Sequence, residues 1–115
     1  MPVPGAQEQI TQTLLGWEGV SVQPHRFGGV EYCLGRRELG HIHGDHMLDV
    51  PFPSKVKHEI LATGMASPHH LLPETGWVSL YLRQPEDVQN AIQLLKRFYE
   101  IARQQRQRRG AMFLF

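Results

Sequence analysis

The chain has 115 residues, 41% hydrophobic and 20% charged, which is enough for one domain with a single core. Its single cysteine, Cys33, excludes an internal disulfide and a multi-cysteine zinc site, and fits a reducing cytoplasm. The net charge of +1 is unevenly placed: residues 96–109 carry six bases and one acid, whereas the chain before Lys96 carries six bases and ten acids.

The start, MPVPGAQEQ, has neither the basic opening nor the apolar run of a signal peptide, so a flexible start over residues 1–5 is expected. No stretch is apolar enough to span a membrane. Residues 6–15 read as a helix, with Ile10, Thr13, Leu14 and Trp17 at helical spacing and Gly16 as its stop. Val20 and Val22 alternate as a strand does, and Phe27-Gly28-Gly29 forms a turn. Val30, Tyr32 and Leu34 mark a second strand.

Gly35-Arg36 fits a two-residue hairpin loop with glycine first. The next strand, residues 37–43, then places Arg37, Leu39, His41 and His43 on one face and Glu38, Gly40 and Ile42 on the other. Gly44-Asp45 repeats the turn pattern. A two-residue reversal there pairs His43 with His46 and His41 with Leu48. It gathers three histidines at the tip of a face shared with Leu39, Leu48, Val50 and Phe52, and leaves Asp49 on the opposite face near Glu38. A slip of one residue changes that arrangement.

Pro51 and Pro53 end the fourth strand. Ser54 is the expected N-cap of a helix over residues 55–63, with Val56, Ile60 and Leu61 buried and Gly64 as its stop. Residues 65–76 form an irregular loop containing Pro68, His69, His70 and Pro73. Residues 77–82 are a strand with Val78, Leu80 and Leu82 on one side. Pro85, Glu86 and Asp87 open a last helix with the stripe Val88, Ala91, Ile92, Leu95, Phe98, Tyr99 and Ala102. Beyond Ala102 the pattern fades into a basic helix end and an apolar tail, residues 103–115. The expected architecture is α+β: one mainly antiparallel sheet in the order α-β-β-β-β-α-β-α, with the helices packed on one face.

Several ordered motifs resemble the small bacterial luciferase-domain family. They are Phe27-Gly28-Gly29-Val30-Glu31, the run from Gly35 to Asp45, and Asp49-Val50-Pro51-Phe52-Pro53. Pro68-His69-His70, Leu72-Pro73 and Gly76-Trp77-Val78 continue the likeness, which covers roughly residues 15–102. The resemblance implies a small α+β domain and no defined reaction; the chain has no flavin, nucleotide or adenylation motif. The last third is also similar, at the level of fold, to YjbR/MmcQ-type proteins, a resemblance that implies DNA binding.

The string His41-Ile42-His43-Gly44-Asp45-His46 matches the HxHxDH metal motif of metallo-β-lactamase-fold hydrolases, but that fold needs roughly twice this length. A simpler site remains, in which His41, His43 and His46, with Asp45 or a loop histidine as fourth ligand, hold a divalent metal such as zinc. Hydrogen-bonded histidines packing a hairpin tip are the plainer alternative. Glu38, His41, His43, His69 and His70 are the candidate acid–base residues. Asp49, Trp77 and Arg83 are candidate contacts to a small-molecule ligand.

Cys33, in mid-strand with no paired base, reads as a small buried apolar residue. The basic end, with Arg103, Arg106, Arg108 and Arg109, offers two further readings. It is a solvated helix terminus, or it meets nucleic acid or an acidic partner. A homodimer through the AMFLF tail is a third functional possibility.

Overall fold

A computed structural model describes residues 2–25 and 28–114, and side chains up to residue 110. The elements are α1 (Ala6–Leu15), β1 (Val20–Pro24), β2 (Val30–Leu34), β3 (Arg37–His43), β4 (Met47–Pro51), α2 (Ser54–Thr63), β5 (Ser67–Pro68), β6 (Trp77–Tyr81) and α3 (Glu86–Leu114). The six strands form one antiparallel sheet in the order β1-β2-β3-β4-β6-β5. The α+β class and the element order agree with the sequence pattern. The two-residue β5 is an addition, formed where the loop after α2 runs beside β6.

One face of the sheet is apolar. Tyr32, Ile42, Leu48, Val50, Val78 and Leu80 are all buried there. α1 and α3 cover it, α1 through Ile10 and Leu14 and α3 through Ala91, Leu95 and Phe98. Gly40 permits the close approach of α3. A Cβ at that position would stand 3.1 Å from Leu95 Cδ2 and 2.7 Å from the Asp49 carbonyl oxygen. α2 adds Ile60 to the same core, and Glu59 pairs with Arg97 of α3.

Two irregularities set the faces of β3 and β4. The Gly35-Arg36 loop has two residues as expected, with Leu34 opposite Arg37 and Gly35 at φ 62°. Further along, Tyr32 pairs with Gly40 but Cys33 pairs with Glu38. Leu39 is therefore an extra residue, a β-bulge. Leu39 goes into the core, and Glu38 moves to the face that carries His41 and His43.

The second irregularity is the β3–β4 turn. His43 pairs with Met47, and His41 with Asp49. The reversal has three residues, Gly44, Asp45 and His46, not two. This one-residue difference inverts all of β4 relative to expectation. Leu48, Val50 and Phe52 enter the core, and Asp49 joins the histidine face.

Three other boundaries differ. α2 begins at Ser54 with Pro53 as its N-cap, and the Ser54 side chain makes no cap bond. Lys57 is buried on the face assigned to Val56 and Leu61, which are only half-buried. α3 continues to Leu114 although its apolar stripe ends at Ala102; Arg and Gln are good helix formers and sustain it. The expected turn at Phe27 and the side-chain role of the AMFLF tail lie outside the described residues.

Candidate functional site

The face opposite the helices is polar at its centre. One cross-strand row runs Glu31, His41, Asp49, Ser79 and Ser67, and His43 and Trp77 flank it two residues away. Side chains in such a row stand close enough to bond directly.

Asp49 is the hub and is fully buried. Its Oδ1 accepts a hydrogen bond from Ser79 Oγ at 2.6 Å. Its Oδ2 faces three imidazoles: His41 Nε2 at 3.1 Å, His43 Nε2 at 3.0 Å and His69 Nε2 at 3.5 Å. Burial opposes charge on this carboxylate. Hydrogen bonds from His41, Ser79 and His43, with the charge of His69, outweigh that and bring its pKa down to about 2.

His41 lies between two carboxylates. Its Nδ1 is 2.7 Å from Glu38 Oε2, and its Nε2 faces Asp49. Burial alone would lower its pKa. The bonds to Asp49 and Glu38 and the two negative charges raise it to about 9, so both ring nitrogens carry protons at neutral pH when no ion is bound. His69 has the reverse arrangement. Its Nδ1 accepts the backbone N–H groups of Leu71 and Leu72, both at 3.1 Å. Its remaining proton therefore sits on Nε2, toward Asp49. Burial is the largest cause of its lowered pKa, against the pull of Asp49.

These groups floor a cavity of about 650 Å³. Pro24, Leu71, Leu72 and Trp77 supply its apolar walls, and His25, Glu31 and His70 add polar edges. His25 stacks on His41, with ring centroids 4.1 Å apart and planes 25° apart. The Trp77 ring lies 5.0 Å from that of His41 and 6.1 Å from that of His69. Exposed His70 stacks on His69 at 4.4 Å. A buried lysine holds the covering loop: Lys57 Nζ donates to the carbonyl oxygens of Pro73, at 2.7 Å, and of Thr75.

The structure thus gathers Glu38, His41, His43, Asp49, His69, His70 and Trp77 around one cavity. It does not bring Asp45, His46 or Arg83 there. Asp45 caps α1, with Oδ2 accepting the Gly5 N–H at 3.1 Å and Oδ1 the Gln7 N–H at 2.9 Å. A carboxylate at a helix N-terminus suits its dipole. His46 is exposed at the turn. Arg83 is exposed and lies over the Tyr81 ring at 5.0 Å, beyond the cavity wall.

Sequence reasoning missed His25, Glu31, Ser79 and Lys57. Lys57 left a usable signal, a lysine one turn before Ile60 on the inward side of α2. Ser79 left another, a small polar residue between Val78 and Leu80 in a strand.

Among the described residues, three sets of side chains present metal-ligating atoms within 4.8 Å of one another: His41, His43 and Asp49; His25, Glu38 and His41; and Asp49, His69 and His70. Among the described residues no helix is long and apolar enough to cross a membrane.

Neither the curated proteins nor the solved structures give a significant match to this chain. The model of the luciferase domain matches residues 36–97, which is more than half of the chain and runs from the β2–β3 turn through the cavity into α3. The chain belongs to the luciferase-domain family.

Proposed function

We propose that the cavity is a small-molecule site built around one divalent metal ion, held by His41 Nε2, His43 Nε2 and Asp49 Oδ2. The observation that carries this reading is the convergence of His41 and His43 Nε2 on one buried carboxylate oxygen, at 3.1 and 3.0 Å. Two imidazoles and a carboxylate form a ligand set suited to Zn²⁺, and also to Fe²⁺. Glu38 supports it from behind. By accepting the Nδ1–H of His41 it fixes the tautomer that leaves Nε2 free to bind a metal.

His69 stays outside the ligand set. Its Nδ1 already accepts two backbone N–H groups, so Nε2 carries the proton and donates to Asp49. Trp77, Leu71 and Leu72 would then contact the apolar part of a ligand, and the ion's open position would meet its polar part.

Elemental analysis of protein purified without chelator tests this. About one equivalent of a divalent metal is expected. Asp49→Asn and the double variant His41→Ala/His43→Ala should each lose it. Wild-type protein that stays metal-free after incubation with excess Zn²⁺ or, under anaerobic conditions, Fe²⁺ would refute it.

One observation favours a second reading, a metal-free acid–base site. His41 bonded to two carboxylates is an imidazolium with its pKa raised to about 9, able to donate a proton or bind an anion in the cavity. The same metal analysis separates the two readings.

A further inference from the structure

At the other end of the sheet, the β2–β3 turn meets the last turns of α3. Arg36 comes from the turn, Arg37 from the start of β3, and Arg106 and Arg109 from the helix. Together with Leu34 and Gly35 these residues line a concave surface of about 730 Å³. No acidic side chain among the described residues lines it. Among the described residues, the ion pair that involves an arginine is Arg97–Glu59, on another part of α3. Four guanidinium groups thus share one recess, and among the described residues none of them forms an ion pair; an acid, Glu18, lines the adjoining recess that Arg106 also borders.

Two of the four arginines, Arg37 and Arg106, are held in place. Arg37 lies over the Phe98 ring, 5.1 Å from its centroid, and donates to Gln105 Oε1. Arg106 packs on Gly35, where a Cβ would stand 3.5 Å from Nη1. The proximity of Arg109 lowers the pKa of Arg37, after burial, which is the larger cause. Mutual repulsion is a cost that a bound anion removes.

We propose that this recess binds a compact, multiply charged phosphate group, such as the diphosphate of a small phosphorylated molecule. Each guanidinium offers a planar fork of donors that matches phosphate oxygens. The four charges converge from the β2–β3 hairpin and α3 on one concavity, an arrangement that suits a compact anion better than an extended backbone. Among the described residues no exposed aromatic ring lines the recess; Phe98 is buried beneath Arg37. The site is independent of the histidine cavity.

Inorganic pyrophosphate is the probe, titrated calorimetrically into the full chain at low ionic strength. Binding with one-to-one stoichiometry is expected, at least ten-fold weaker in Arg36→Gln/Arg109→Gln. Neither residue touches the histidine cavity, so this variant should keep the metal content of the wild type. Any pyrophosphate bound at the metal therefore cancels in the comparison. Equal affinity in wild type and variant would overturn the proposal. So would salt-dependent retention of an oligonucleotide by a chain that ignores pyrophosphate, a result that would make the arginines a nucleic-acid surface. Arg106→Gln, which leaves the turn and Arg37 in place, provides a second test and should also weaken binding.

Discussion

The two faces of one sheet are both buried, by different means. On the helix face, Leu48, Ile42 and Val78 are covered by α1 and α3 and need no specific partner. On the other face, Asp49 and His41 are covered by a loop of residues 69–75 and by the imidazoles of their neighbours, and every bond has a named donor and acceptor. No buried side-chain nitrogen or oxygen among the described residues lacks a partner. Burial on the first face contributes stability in proportion to area. Burial on the second is close to neutral and is held by geometry. The first face should set whether the chain folds, and the second what it binds.

The largest expected effect follows from the first face. Leu48→Ala removes a fully buried side chain between β3 and β6 and should cost about 2–5 kcal/mol in denaturant unfolding. The folded fraction should keep its metal. Loss of metal from folded Leu48→Ala protein would show that the faces are not separable.

Lys57→Met comes next. It removes the ammonium that ties the carbonyls of Pro73 and Thr75, worth about 1.5–3 kcal/mol for a bond to a charged group. The covering loop should lose protection in hydrogen exchange at Leu71 and Leu72, while the core strands keep theirs.

pH sharpens the contrast. In metal-free protein, the raised pKa of His41 contributes stability that is complete below about 6.5 and is lost as pH rises through about 9. The lowered pKa of Asp49 contributes stability present above 3.8 and lost as pH falls toward about 2. The site therefore stabilises the metal-free chain most between pH 3.8 and 6.5. Metal-loaded protein should show the opposite slope from pH 6.5 to 8, because the metal displaces the proton on Nε2 and so binds more tightly as pH rises. Thermal melts with and without Zn²⁺ across that range check both signs.

The smallest effect concerns the acid that the sequence pattern grouped with the histidines. Asp45→Ala should cost about 1 kcal/mol, the worth of a helix cap, and leave metal content unchanged.

Much of the fold was legible. The alternation in residues 30–34 and 77–82, the Gly-first loop at Gly35 and the stripe of α3 each follow from local periodicity. His41 and His43 share a face whatever the register, since they stand two apart on one strand. The facing of Glu38 and Asp49 was hidden by two inserted residues. Period-two counting from Arg37 places Glu38 away from His41, because the bulge at Leu39 depends on pairing with β2 and has no signature in β3 itself. Counting back from a two-residue turn places Asp49 with Glu38 on the wrong face. The turn has three residues, and the carboxylate of Asp45 is committed to the backbone of α1, forty residues away in sequence. No local pattern carries that information. The two departures cancel their errors in one respect: they bring both acids to the histidines.

The most direct test is an anomalous difference map at the metal edge from crystals of the Zn²⁺-loaded chain. One strong peak between His41 Nε2, His43 Nε2 and Asp49 Oδ2 is the predicted result, with the Glu38–His41 hydrogen bond intact. Saturating metal with no peak there, and with Asp49 Oδ2 still bonded to the imidazole protons, would contradict the account.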